Sequence, residues 1–253
     1  MRVAVVGAKG QVGRICIDEL KSRHTEPYAL HKNDAIPTDA DALIIAAPTE
    51  HCPFDGLLVD CSGSQQNTAL SLPPIHTTNQ LRKRTPNCMA SLIAKALAAV
   101  HEQSTVTSIL GTTMQSVSGA GWRGVQALKQ ADTQELFGGD LVNNVLPHEQ
   151  CIREEDAIKK DLHALFGCEV TLTSFRVPVY VGHIASLHIE TIDPINPAHV
   201  PESTPFDPRS MERKREIALG RVRINKNTAD LVICGDQLLC GTAIPAVDSI
   251  LVT

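Results

Sequence analysis

The chain opens on four consecutive apolar residues, 3–6 (Val-Ala-Val-Val), and a glycine-rich turn follows at once. Apolar positions then recur at helical spacing over residues 12–20. Two further short apolar runs, 42–47 and 57–60, show no polar alternation. Runs of that kind are strands covered on both faces, as in a parallel sheet whose connections cross its faces. The middle of the chain has a different texture. Residues 105–110, 169–181 and 185–192 read as strands, the last two parted by Gly182-His183. Helices are expected over 90–100, from 125 onward, over 154–166 with an apolar stripe, and over the heavily charged 211–219. Residues 62–79 read as a loop leading into a short extended segment, and 116–121 as a turn of small residues. Residues 140–147 read as irregular chain, and 194–208, with five prolines, as a loop. A strand over 231–234, a turn at Gly235-Asp236 and a helix over 238–251, with Pro245 in its first turns, end the pattern.

The order of these elements defines the expected fold class. Alternating strands and helices come first, longer strands follow, and a strand and helix return at the end. That is an α/β protein with a Rossmann-like parallel sheet, an inserted α+β domain, and a C-terminal helix returning to the first domain. The expected boundaries are 1–87 with 231–253 for the first domain and 88–230 for the second. No internal repeat or low-complexity segment interrupts this plan.

Composition narrows the functional classes. The chain has 253 residues, enough for two small cores, and 43% of them are hydrophobic. The net charge of −5 leaves no basic footprint for nucleic acid, so an anionic substrate needs a local cation. No apolar run reaches the roughly 20 residues that span a bilayer. The start of the chain lacks a signal-peptide pattern, and a cytoplasmic location is expected. Eight cysteines are present without a Cys-x-x-Cys pair, so neither structural zinc nor any other metal site is expected. In a reducing compartment most of these thiols are small core residues.

Four segments carry candidate chemistry. Gly7-Ala-Lys9-Gly10-Gln11-Val12-Gly13 joins a strand to a helix, where glycines admit a pyrophosphate close to the backbone and a helix N-terminus supplies N–H groups. The spacing differs from Gly-x-Gly-x-x-Gly, and an ordinary strand-to-helix turn is the competing reading. About twenty residues on, where a ribose-binding acid is expected, the chain reads Tyr28-Ala-Leu-His31-Lys32-Asn33. His31 and Lys32 either face a 2′-phosphate, favouring NADP, or are solvated loop residues. Cys88 stands before an expected helix, whose N-terminus lowers a thiol pKa; the alternative is a packed cysteine. Arg176 can grip a carboxylate through two parallel hydrogen bonds, and His183 can move a proton. Gln115-Ser-Val-Ser118-Gly119-Ala-Gly121 is a small-residue turn able to close on a substrate.

Taken together, six segments in order resemble the aspartate-β-semialdehyde dehydrogenase family. They are the glycine turn 7–13, Pro86-Asn87-Cys88, the turn 115–121, Asn144-Val-Leu-Pro147, Arg176-Val-Pro-Val-Tyr-Val-Gly-His183, and Gly235-Asp-Gln-Leu-Leu-Cys-Gly241. The arginine–histidine segment is the most specific of them. The resemblance implies reversible, NADP-dependent reduction of β-aspartyl phosphate to aspartate semialdehyde and phosphate, with NAD as an alternative cofactor. It implies that Cys88 forms a thioester, His183 is the acid/base, Gln115 orients the acyl group and Arg176 holds the substrate carboxylate. Asn87 would line the substrate pocket. Gly7, Lys9, Gly10, Gln11, Val12 and Gly13, with Ser118, Gly119 and Gly121, would hold the cofactor. The inserted domain would be the catalytic and dimerisation domain, making a homodimer.

The chain departs from the family pattern at three places, and it is shorter than family members usually are. Ser64-Gln-Gln-Asn-Thr-Ala-Leu-Ser-Leu72 lacks the arginine that binds the substrate phosphate in the family. Glu154-Glu155-Asp156-Ala157 lacks the lysine that helps it, although Lys159 and Lys160 follow in the next turn. The connection between Leu30 and Leu43 is short around the adenosine half of the cofactor. Phosphate would then be held by other groups, such as Arg82, Lys83 or Arg84. A reductase of another acyl phosphate or aldehyde, and a non-catalytic relative, are the alternatives.

Overall fold

The structure, a computed structural model, describes residues 1–50, 52–147, 149–203 and 207–252, with only the backbone of Glu149 and Gln150. Its contacts divide the chain into two units, Met1–Ser91 with Gly241–Thr253, and Leu92–Cys240. The strands are β1 Val3–Val6, β2 Tyr28–Leu30, β3 Ala42–Ile45, β4 Leu57–Asp60, β5 Ala69–Leu70, β6 Arg82–Arg84, β7 Val106–Gln115, β8 Glu169–Arg176, β9 His183–Thr191, β10 Ala218–Asn225 and β11 Thr228–Gly235. The helices are α1 Gln11–Ser22, α2 Cys88–Gln103, α3 Gly121–Gln130, α4 Gln134–Phe137, α5 Glu149–Phe166, α6 Pro208–Met211 and α7 Ile244–Leu251. Among the described residues no helix is long and apolar enough to cross a membrane.

The first unit is a six-stranded, wholly parallel sheet in the order β2-β1-β3-β4-β6-β5. Every residue of β1 and β3 is buried, which is why their sequence is apolar without alternation. Val3, Val5, Ala42, Ile44 and Val59 share one cluster with residues of α1 and α7. The opposite pleat, Ala4, Val6, Leu43, Ile45 and Leu58, packs under Ile36, Ala40, Cys52 and Phe54. These belong to connections without a helix, so this face of the sheet is roofed by loops. Lys83, buried in β6, donates to the carbonyl of Ser249 in the last turn of α7 at 3.0 Å. An ammonium there satisfies a terminal carbonyl and complements the helix dipole.

The second unit is a five-stranded mixed sheet in the order β10-β11-β9-β7-β8. Only β7 and β8 run parallel, and the other pairs are antiparallel. The helix α5 buries Cys151, Ile158, Leu162 and Phe166 along one stripe and packs on β8. The strands alternate, so that Leu110, Met114 and Thr171 stay exposed on one pleat while Ile109, Thr113, Val170 and Leu172 are buried on the other.

Three expectations need correction. Residues 211–219 are not a helix. A short helix, α6, stops at Met211 and the strand β10 begins at Ala218. The charged run 212–216 offers no apolar stripe, whereas residues 218–225 pair along β11. Residues 231–240 belong to the second unit, not the first, because β11 pairs with β9 over its whole length. The closing helix is also shorter than 238–251. A π-turn, Leu239–Ala243, precedes α7, which begins one residue before Pro245. The proline-rich loop 194–208 runs outside the described residues at 204–206 and holds one 3-10 turn, Pro197–His199.

Asp236 starts that last segment of chain. One carboxylate oxygen accepts the N–H groups of Leu238 and Leu239, and the other accepts that of Arg213 at 2.8 Å. Replacing Asp236 by alanine orphans three donors in a buried place. We expect Asp236→Ala to lose about 2–4 kcal/mol of stability in urea unfolding, and a loss below about 0.5 kcal/mol contradicts this role.

Candidate active site

In the first unit, β1 delivers the chain into the glycine turn. Gly7 adopts φ +82°, and a Cβ there would lie 2.6 Å from the Cβ of Ala47. The N–H groups of Gly7 and Ala8 both donate to the carbonyl of Leu30, at 3.0 and 3.1 Å. A Cβ on Gly13 would lie 2.2 Å from the Gly7 carbonyl oxygen, so strand and helix approach as closely as glycine permits. No side chain caps the start of α1 at Gly10, and the Oε1 of Gln11 is buried with no partner among the described residues. Lys9 is exposed and Val12 half-buried.

Because β2 and β3 flank β1 on opposite sides, the sheet has its switch point there, where open α/β sheets bind ligands. A cavity of about 420 Å³ lies in this place, lined by Val6, Ile45, Lys32, Asn33, Asp34 and Thr49 among others. Lys32 is thus at the cavity. His31 is engaged through its N–H, which donates to Asp34 Oδ2 at 2.7 Å. An open helix start and a cradle that a Cβ would fill together fit a pyrophosphate-bearing dinucleotide.

Cys88 is the first residue of α2 and is half-buried. Asn87 caps this helix, its Oδ1 accepting the N–H groups of Met89 at 2.9 Å and Ala90 at 3.4 Å. Capping is therefore the role the structure gives the oxygen of Asn87. A Cβ on Gly241 would lie 2.7 Å from the Cys88 carbonyl, so that glycine lets α7's leader pass the thiol-bearing turn. The basic residues just before each make protein contacts. Lys83 is buried against Ser249, and burial lowers its pKa. Arg82 donates to the carbonyls of Cys52 and Phe54, and Arg84 to that of Thr85. Lys83 thus serves the first unit's structure, while Arg82 keeps its Nη2 buried with no partner among the described residues.

In the second unit three strand ends meet. Gln115 ends β7, Arg176 ends β8 in register with it, and His183 begins β9 beside them. Arg176 is 1% exposed. Its Nη1 donates to the Ser116 carbonyl at 2.8 Å, its Nη2 meets Glu154 Oε1 at 2.7 Å, and the guanidinium lies over the Phe137 ring. The Nε of Arg176 and the Oε2 of Glu154 are both buried without a partner among the described residues. A Cβ on Gly119 would lie 3.0 Å from Arg176 Nη1 and 3.7 Å from His183 Nε2, so the small-residue turn rests on both side chains. The amide of Gln115 is buried, with long contacts to Thr113 and Ser174 hydroxyls at 3.4 and 3.5 Å.

His183 accepts the N–H of Ser116 at its Nδ1, 3.2 Å away, which leaves the proton of the neutral ring on Nε2. Burial first, and the Arg176 charge second, push its pKa down to about 3. Two site residues escaped assignment from sequence. Gln237 accepts the Gly182 N–H at 2.9 Å and donates to Ser118 Oγ at 2.6 Å, tying together the loops that carry His183 and Gly119. It sits in a motif noted above, but nothing in one dimension reveals its two partners. Glu154, there part of an expected phosphate motif, instead pairs with Arg176. Its neighbour Glu155 takes the Ser174 N–H at 2.6 Å, while Lys159 and Lys160 are exposed on α5. Among the described residues no cluster of metal-ligating side chains occurs.

Residues 97–240 match the family described as semialdehyde dehydrogenase, dimerisation domain. An aspartate-semialdehyde dehydrogenase of Prochlorococcus marinus is 29% identical over 199 residues, 64% of this chain and 58% of its own length. One of Aquifex aeolicus is 24% identical over 261 residues, 79% of this chain and 77% of its own. Among solved structures, aspartate semialdehyde dehydrogenase II of Vibrio cholerae matches with TM-score 0.82 at 20% identity, covering 99% of this chain and 97% of that one. A probable aspartate-semialdehyde dehydrogenase of Pseudomonas aeruginosa matches with TM-score 0.82 at 18% identity, covering 100% and 98%. These two likenesses establish the α/β fold.

The depressed pKa of His183 has a consequence for stability. The unfolded chain takes up a proton near the ordinary value of 6.5, and the folded chain does not until about 3. Stability therefore falls as pH drops from 6.5 towards 3, by up to about 1.4 kcal/mol per pH unit from this one group. Urea unfolding at pH 7 and pH 4.5 should show a smaller acid loss for His183→Asn than for the parent. Equal losses contradict a neutral, buried His183.

Proposed function

The chain belongs to the semialdehyde dehydrogenase family, and we propose that it reversibly converts β-aspartyl phosphate and NADPH to aspartate semialdehyde, phosphate and NADP. The observation that carries this reading is the orphaned pair beside Gln115. Arg176 Nε is a buried donor waiting for an anion, and Glu154 Oε2 is a buried acceptor waiting for a cation. Unpaired groups of that kind are costly when left alone. An α-amino acid, with its carboxylate and ammonium on one carbon, complements both.

The thiolate of Cys88 attacks the acyl carbon, the carbon–oxygen bond to phosphate breaks, and a thioester remains. When bound, the reduced nicotinamide would supply the hydride for the thioester carbon. The carbon–sulfur bond then breaks, releasing the aldehyde and restoring the thiolate. Gln115 orients the acyl group. His183 acts in the neutral form, its Nε2–H donating to the oxygen that gains charge. A substrate carboxylate on Arg176 offsets the charge that depresses His183, so binding raises the basicity of the acid/base. The turn Gly7 to Gly13, with Lys9, Gly10, Gln11 and Val12, holds the pyrophosphate. Ser118, Gly119 and Gly121 serve the nicotinamide end, and Asn87 keeps Cys88 at the helix start. Lys32 at the cavity favours the 2′-phosphate of NADP over NAD.

The exposed pleat of the second sheet, with Leu110 40% and Met114 44% exposed, is the face we assign to a homodimer. A cytoplasmic location suits a chain in which none of the eight cysteines forms a disulfide. One observation favours a second reading, a reductase of the same family for another acyl donor. The 64–72 stretch has no basic residue, and Lys83 is engaged with Ser249.

The assay is reduction of NADP by aspartate semialdehyde and phosphate, followed at the nicotinamide absorbance. Turnover should occur and fall at least roughly a thousandfold in Cys88→Ser. No turnover by protein with an intact Cys88 thiol rules out this function, and a preference for another aldehyde or acyl phosphate selects the second reading. Glu154→Gln provides a sharper check. It should raise KM for aspartate semialdehyde about tenfold or more beyond any rise for the aldehyde lacking the amino group, which shares the loss of Arg176's counter-ion. Equal effects on both substrates contradict an ammonium site at Glu154.

A further inference from the structure

The inference here rests on the dinucleotide reading of the first unit and concerns what shapes its cavity. One wall is formed by Thr49, Glu50, Cys52 and Pro53, each of them outside helix and strand. Gln65, 7% exposed, reaches this wall from the loop after β4. Its Oε1 accepts the Cys52 N–H at 2.9 Å. Its Nε2 donates to the Glu50 carbonyl at 3.1 Å and to Thr49 Oγ1 at 3.1 Å. One carboxamide therefore holds three lining residues at once.

Gln65 is itself held on both sides. Its N–H donates to Asp60 Oδ2 at 2.8 Å, and the other Asp60 oxygen takes the N–H and hydroxyl of Ser62. Asp60 is buried at the end of β4, so the sheet anchors the loop. Ser64 Oγ accepts the Thr49 N–H at 3.3 Å and lies 3.1 Å from Gln65 Nε2, sharing one of its two hydrogens. The chain of contacts thus runs from the sheet through Asp60, Gln65 and Ser64 to the cavity wall. It needs a side chain that both accepts and donates, which a carboxamide does and a thioether of the same length does not.

We propose that Gln65 is the positioning residue for the adenosine-side wall of the dinucleotide cavity, acting through Thr49, Glu50 and Cys52. A wall that is rigid before binding avoids an ordering cost on binding. Loss of Gln65 should therefore appear as lost affinity for the adenosine half of the cofactor, with the chemical step untouched.

The test uses the full chain and the fragment 2′-phospho-ADP-ribose, titrated by calorimetry well below the unfolding temperature of each variant. Gln65→Met keeps the volume and removes the hydrogen bonds. Its fragment affinity should fall about tenfold, equivalent to ~1.4 kcal/mol, with KM for NADP rising in step. kcat at saturating NADP and KM for the aldehyde should stay as in the parent. Ser64→Ala, at a less buried position, should weaken the fragment about two- to threefold. A Gln65→Met protein that unfolds at lower temperature but binds the fragment as tightly as the parent overturns the proposal, because the role is then merely structural. A parent protein that does not bind the fragment overturns the dinucleotide reading beneath it, a result distinct from the first.

Discussion

The contact on which the second unit turns is the buried guanidinium of Arg176. A charge that deep survives only with partners, and the fold supplies them from three directions. The Ser116 carbonyl comes from the turn after β7, the Glu154 carboxylate from α5, and the face of Phe137 from α4. Each of these places a different piece of the site. The turn that offers the carbonyl also carries the N–H that fixes His183, and Gly119 has no side chain because Arg176 fills the space. The same charge, with burial, keeps His183 neutral. Satisfying one arginine thus sets the tautomer of the histidine, the path of the turn and the position of the acid.

That arrangement leaves two atoms short, Arg176 Nε and Glu154 Oε2. A pair used purely for stability would close on itself in a bidentate fork. Here the fork is open by one donor and one acceptor. An open buried fork lowers stability and adds specificity, the usual direction of compromise at a binding site. Its two signs match the two charges of an amino acid better than they match phosphate, which offers acceptors alone near neutral pH.

How much of this was legible in the sequence depends on which residues one follows. The strands β1, β3 and β4 were plain, because burial on both faces demands short apolar runs without alternation. Gly7 and Gly13 were legible as a turn because a Cβ has no room at either. Strand β6, Arg-Lys-Arg, was not legible, since its register rests on partners and its basic side chains suggest a surface. The charged stretch after Met211 misled in the same way, its propensity favouring a helix while pairing with β11 made the strand β10. For the candidate site, the residue types at Cys88, Arg176 and His183 drew attention in the sequence because a thiol, a guanidinium and an imidazole carry chemistry. Gln65 and Gln237 did not, because an amide that donates to one loop and accepts from another has no period and no motif.

The use of the basic residues bears on the phosphate step. A site that must bind and release phosphate needs a cation whose other obligations are weak. Lys83 is committed to the end of α7 and Arg176 to Glu154 and Ser116, while Arg82 gives Nη1 to the carbonyls of Cys52 and Phe54 and keeps Nη2 without a partner among the described residues. The nearby loop at 64–66 answers with Ser64, Gln65 and Gln66, of which the first two are already joined to Thr49. What remains near the start of α2 is the helix N-terminus itself, where backbone N–H groups and the dipole favour an anion. Asn87 Oδ1 already occupies the N–H groups of Met89 and Ala90. For the proposed reaction, Lys83 is spent on structure and residues 64–72 offer no cation, which predicts a high KM for phosphate.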